Sequence, residues 1–123
     1  MAFFRTAPGL CALAMLATTF LSGCVSLPPP LYHWGDYQSQ VYSHFKGEKG
    51  PQDQILGLEE VREKAGAQGK ALPPGFRAHL GMLYGETGRT DLFKENLEAE
   101  KNQFPESAAF MDFLLKKFTP APP

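Results

Sequence analysis

The stretch "LGMLYGETGRTDLFKENLEAEKNQFP", residues 80–105, decides how this chain folds. Leu80, Leu83 and Tyr84 follow Phe76 at helical spacing, which predicts a helix over about Pro74–Glu86. Gly88 stops it. Thr90 or Asp91 then caps a second helix whose apolar positions are Phe93, Leu97 and Phe104. Pro105 ends that helix, because its nitrogen has no proton to donate and its ring excludes the preceding turn. Two helices joined by so short a turn lie antiparallel and side by side.

Working outward, "PQDQILGLEEVREKAG" (51–66) predicts a helix from about Gln52 to Gly66 with Ile55, Leu58, Val61 and Ala65 as its buried stripe. Glu59, Glu60, Arg62, Glu63 and Lys64 form its solvated face. Upstream, "WGDYQSQVYSHF" (34–45) predicts a helix capped by Asp36, with Trp34, Tyr37, Val41 and Phe45 near one face. "KGEKGP" (46–51) separates the two. Downstream, a last helix opens at "PES" and ends near Phe118. Its apolar arc of Ala109, Phe110, Met111, Phe113, Leu114, Leu115 and Phe118 is wider than a helix covering one side of a small bundle requires. The expected fold is all-α, a small bundle of about five helices without strands.

The 80–105 stretch resembles one tetratricopeptide-like repeat, with Leu80, Gly81, Tyr84, Gly88, Leu97 and Pro105 at the spacing of that pattern. The resemblance implies that Gly81 lets the two helices approach closely and that Tyr84 fills the gap beside it. Phe93 and Glu100 depart from the pattern, standing where the repeat prefers small residues. One repeat cannot bury its own apolar face. The two upstream helices are therefore expected to form a second, degenerate hairpin, and the last helix to act as a cap.

The chain opens with one positive charge in Met1–Arg5 and an apolar run over Leu10–Leu21, too short for the roughly 20 residues a membrane span needs. This pattern fits a secretory signal. "LSGC" (21–24) resembles the lipobox of bacterial lipoproteins. That resemblance implies cleavage between Gly23 and Cys24, lipid on the Cys24 thiol, and, with Val25 in place of aspartate, the periplasmic face of the outer membrane. Acyl chains hold by about 0.8 kcal/mol per buried methylene, and two or more anchor stably. The expected layout is a signal peptide over 1–23, a lipidated cysteine and proline-rich tether over 24–31, a helical domain over 32–118 and a tail over 119–123. The polyproline stretch within Val25–Pro30 gives the tether a reach of about 20 Å. Cys11 would leave with the signal, so the mature chain would fold without a disulfide.

Composition narrows the function further. Net charge is −1 for the whole chain, and no run of lysines or arginines points to nucleic acid or to an anionic surface. His33, His44 and His79 have no metal-ligand spacing with one another or with carboxylates. "GETGRT" (85–90) lacks the Gly-Lys-Ser/Thr ending of a phosphate loop. No serine sits in a nucleophile elbow, and Glu59 and Glu63 share a helix face with nothing to desolvate them. The reading is of a non-enzymatic chain without metal or cofactor.

Together, the lipobox, "LYHWGDY" (31–37) and the 80–105 hairpin are similar to a family of small proteobacterial lipoproteins whose domain carries only an unknown-function label. The resemblance implies a gene neighbourhood shared with a lipoprotein similar to the curli secretion pore. The expected function is a binding or assembly subunit of an envelope complex, with another envelope lipoprotein as partner. The alternative is a regulator that activates a cell-wall-synthesising enzyme, which would need a longer tether. Candidate partner-binding residues are Phe110, Met111, Phe113 and Leu114 on the last helix, and Trp34 and Tyr37 near the tether. Each has a competing reading as core.

Overall fold

A computed structural model describes residues 27–118. The signal segment, Gly23, Cys24 and the 119–123 tail lie outside the described residues. Five α-helices follow in order: α1 (Tyr37–Lys46), α2 (Pro51–Ala67), α3 (Phe76–Glu86), α4 (Thr90–Gln103) and α5 (Ala108–Phe118), with a 3-10 turn over Pro105–Ser107 before α5. The fold is the expected small all-α bundle, with no strand among the described residues. An isolated bridge joins Tyr32 to Ala71.

Each helix packs on the next, and α3 with α4 forms the most intimate pair. Their antiparallel register is set by three approaches. A methyl group at Gly81 would stand 2.5 Å from Leu97 Cδ1, one at Gly85 would stand 3.2 Å from the Phe93 ring, and Gly75 N–H donates to Glu100 at 2.6 Å. Gly88 makes the turn at φ +80°, a conformation that disfavours any side chain. α1 and α2 form a second antiparallel hairpin, in which a methyl on Gly57 would stand 2.5 Å from the Gln40 amide.

The core divides at α3. One cluster joins Tyr37 of α1, Ile55, Leu58, Val61 and Ala65 of α2, Leu72, and Phe76, Leu80, Leu83 and Tyr84 of α3. A second joins Phe93 and Leu97 of α4 to Met111 and Leu114 of α5, with Ala78 and Met82 of α3 packed against it. α3 thus has a packed face on each side. The two departures from the repeat pattern find their reason here. Phe93 fills the space between α3 and α5, its ring meeting Phe118 edge-on at 6.0 Å. Glu100, 2 % exposed, accepts hydrogen bonds from the backbone N–H groups of Gly75 and Arg77. It supplies from across the hairpin the anionic cap that the start of α3 lacks locally.

Several expected boundaries and faces shift. α3 begins at Phe76 rather than Pro74, because Gly75 adopts φ +84° and cannot enter the helix. Asp36 and Arg89 occupy the cap positions of α1 and α4 without a side-chain cap bond, and Thr90 is already helical. The buried face of α1 is Tyr37, Gln40 and Ser43, so Phe45 is 82 % exposed and Trp34 precedes the helix. The stripe of α2 is buried as expected. Its charged face is not wholly solvated, since Glu59 accepts a hydrogen bond from the Tyr84 hydroxyl at 2.5 Å and pairs with Arg62.

Candidate functional site

The last helix carries the candidate site, and its rotation decides which residues are available. Ser107 Oγ donates to the Phe104 carbonyl at 2.7 Å, which tightens the turn into α5. Lys101 of α4 then donates to Asp112 at 2.8 Å and holds that flank of α5 toward its neighbour. Met111 and Leu114 pack with Phe93 and Leu97 and are buried, at 3 % and 7 % exposure. Phe110 and Phe113, 59 % and 54 % exposed, point the other way. Their rings stack at 6.5 Å with 16° between planes.

Positions 110, 113 and 117 fall on one side of a helix, so Lys117 joins the two rings on the outer face. Its ammonium stands 5.7 Å from the Phe113 centroid and 5.7 Å from that of Phe118. Lys116 is exposed beside it. The only carboxylate of α5 is Asp112, already paired with Lys101. The outer face is therefore apolar and cationic. Three aromatic rings, each about half exposed, offer roughly 300 Å² of apolar surface. That is at the low end for the largest apolar patch of an ordinary monomer, about 300–600 Å², and falls short of the roughly 800 Å² per partner of a standard stable interface.

Trp34 and Tyr37 stack at 6.2 Å, but only Trp34, at 40 % exposure, is open to solvent. Tyr37 packs its ring on Phe76 at 5.1 Å, and its hydroxyl lies beside Gly75. Burial, and secondarily the Glu100 carboxylate, push that hydroxyl up to about 12. Met111, Leu114 and Tyr37 thus have their surface inside the core. Phe110, Phe113 and Trp34 stand on the free surface. Gly23 and Cys24 lie outside the described residues.

Two surface features escape sequence reasoning. Tyr42 and Phe45 of α1 are exposed at 60 % and 82 %, with Lys46 Nζ 5.6 Å above the Tyr42 ring. The signal available was the pair of glutamines and serines at 38–43, which leave α1 too polar to hide both aromatics. An apolar hollow of about 180 Å³ opens between α3, α4 and α5, lined by Met82, Gly85, Glu86, Thr90, Phe93 and Phe118. It is too small for anything beyond one side chain of a partner.

No group of three potential metal ligands occurs among the described residues. His44 and His79 nevertheless meet edge-on at 5.0 Å, and His79 Nε2 is buried with no hydrogen-bond partner there. Burial first, and His44 second, pull the His79 imidazole down to about 4 from an ordinary 6.5. As pH falls from 6.5 toward 4, the unfolded chain takes up a proton that the folded chain refuses, and stability drops. Below about 4 both forms carry the proton and the loss stops growing. Allowing for the partial exposure of the ring, the loss is on the order of 2 kcal/mol. Urea unfolding at pH 7.5 and pH ~4.5 is expected to show a smaller acid loss for His79→Gln than for the natural chain. An equal loss in both would remove His79 from the account.

A family described as "Domain of unknown function (DUF4810)" matches residues 31–114. The match takes in both hairpins and the start of α5, including Phe110 and Phe113. No curated protein and no solved structure matches the chain.

Proposed function

We propose that this chain, which belongs to the DUF4810 family, is a non-catalytic binding subunit anchored by lipid at Cys24 to the periplasmic face of the outer membrane. Its partner is another lipoprotein of the envelope, in an assembly or secretion-pore-like complex. The observation that carries this reading is the stacked, exposed Phe110–Phe113 pair on a helix whose inner residues are already buried. More than half of each ring lies outside the core, and the pair forms the centre of an apolar, cationic face without a free carboxylate.

The small area of the face is consistent with a partner held in the same leaflet. Shared anchoring raises effective concentration, so a contact too small to hold two free proteins together is sufficient. A tether of about 20 Å keeps the domain close to its own membrane. Among the described residues, no helix is long and apolar enough to cross a membrane.

The test is the double variant Phe110→Ser/Phe113→Ser in the intact protein. The variant is expected to stay folded while losing about 2 kcal/mol or more, since a little under half of each ring is buried. Co-purification of its lipoprotein partner from outer-membrane fractions is expected to be lost. Retained co-purification with an unchanged fold would refute this face as the contact.

A further inference from the structure

Positive charge that is scattered in sequence converges in space. Arg62 of α2, Lys70 of the following connection and Arg77 of α3 surround one cavity of about 350 Å³, whose wall Gln103 of α4 completes. No aspartate or glutamate lines it. Among the described residues, neither Lys70 nor Arg77 forms an ion pair. Arg62 pairs with Glu59, and its side chain stays 42 % exposed.

Two carboxylates stand close by and offset part of this charge: Glu59, which pairs with Arg62 and accepts from the Tyr84 hydroxyl, and Glu100, which accepts from the backbone of Gly75 and Arg77. The carboxyl end of α2 borders the cavity and would repel an anion through bare carbonyls. Those carbonyls are capped: Lys64 by the N–H of Gln68, Ala65 by the N–H groups of Gln68 and Lys70, and Gly66 by that of Gly69. Gln103 Nε2 donates to the Leu72 carbonyl at 3.2 Å, which holds its amide at the rim.

We propose that this cavity binds a phosphate group. Two arginines and one lysine from three segments line it, and guanidinium forks with an ammonium are a donor set that tetrahedral phosphate oxygens can satisfy together. A planar carboxylate would engage one fork and leave another cation unpaired.

The cavity also has a fixed relation to the start of the domain. Ala71 in its wall accepts a hydrogen bond from the His33 N–H at 2.8 Å and bridges Tyr32. From Cys24 to Tyr32 an extended chain spans at most about 29 Å. A headgroup of the anchoring leaflet is therefore one source of the phosphate, and free phosphate ion is the other. The headgroup source rests on the proposed anchoring at Cys24; the cavity itself does not.

The experiment follows backbone amide shifts at 62, 70, 77 and 103 in the mature protein, purified in neutral detergent and titrated with inorganic phosphate at constant ionic strength. The same residues are then followed in nanodiscs of phosphatidylcholine with and without phosphatidylglycerol. Saturating shifts with inorganic phosphate, weakened at least about tenfold in Lys70→Gln/Arg77→Gln but not in Lys46→Gln/Lys94→Gln, would establish the site for free phosphate. Shifts confined to phosphatidylglycerol discs, with the same dependence on Lys70 and Arg77, would establish the headgroup source. Loss of that second response alone in Cys24→Ala would trace it to the anchor. No movement of these residues in either titration would overturn the proposal, as would equal weakening by the two double variants.

Discussion

Gly81→Val lowers folding stability by about 3 kcal/mol or more, the top of the range for overfilling a packed core. The reason is the closeness of α3 and α4. The first added carbon would stand 2.5 Å from Leu97 Cδ1, and 3.2 Å from both Asn96 Cβ and the Phe93 carbonyl oxygen. Leu97 is fully buried, so its methyl has nowhere to go without displacing the second core cluster. Valine adds two further methyl groups in the same space. Alanine at 81 is expected to do less harm, about 1–2 kcal/mol, because a helix favours alanine over glycine by about 1 kcal/mol. Urea unfolding followed by circular dichroism measures both. A double-mutant cycle with Leu97→Ala sharpens the test: removing the methyl that Gly81 accommodates should make the two losses sum to less than their separate values. Strict additivity would place the strain elsewhere.

Glu100→Ala is the second large effect, with an expected loss of about 3 kcal/mol. Glu100 is 2 % exposed and accepts from the Gly75 N–H at 2.6 Å and the Arg77 N–H at 3.2 Å. Hydrogen bonds to a charged group contribute about 1.5–3 kcal/mol, and their loss would leave two donors at the start of α3 without an acceptor. α3 has no side-chain cap of its own. Glu100→Gln keeps an acceptor of nearly the same shape and is expected to lose about half as much. Amide exchange gives a local readout, with faster exchange in the first turn of α3 than in α5. Uniform acceleration across all helices would mean that Glu100 acts through the core as a whole.

These two residues also mark how much of the fold was legible in the sequence. Gly81, Gly88 and Pro105 act through rules local to a hairpin, namely close approach, a left-handed turn and a missing donor, and such rules are written in spacing alone. The stripe of α2 was legible for the same reason. Glu100 was not, because its acceptor atoms serve backbone groups of a segment 25 residues earlier, and no periodicity records that contact. α1 misled because the positions facing α2 are polar: Gln40 fits beside Gly57, and the conspicuous aromatic Phe45 turns outward.

The candidate site was half legible. The excess width of the apolar arc on α5 could be read from composition around the helix. Which half would be buried depends on where α4 stands and on the Lys101–Asp112 pair, both properties of the folded chain. The convergence of Arg62, Lys70 and Arg77 was hidden for a similar reason. No short window contains all three, and the packing of α2, α3 and α4 brings them together.

The central claim is that the outer face of α5 docks a lipoprotein of the same membrane. It is tested most directly by photo-crosslinking the intact, lipidated protein in its membrane, with the reactive side chain placed at Phe110 and, separately, at Phe113. Both positions are expected to capture one and the same outer-membrane lipoprotein, while a control at Leu56, exposed on α2, captures none of it. Silence at both positions from an abundant, folded protein, or capture of an inner-membrane cell-wall synthase instead, would contradict it.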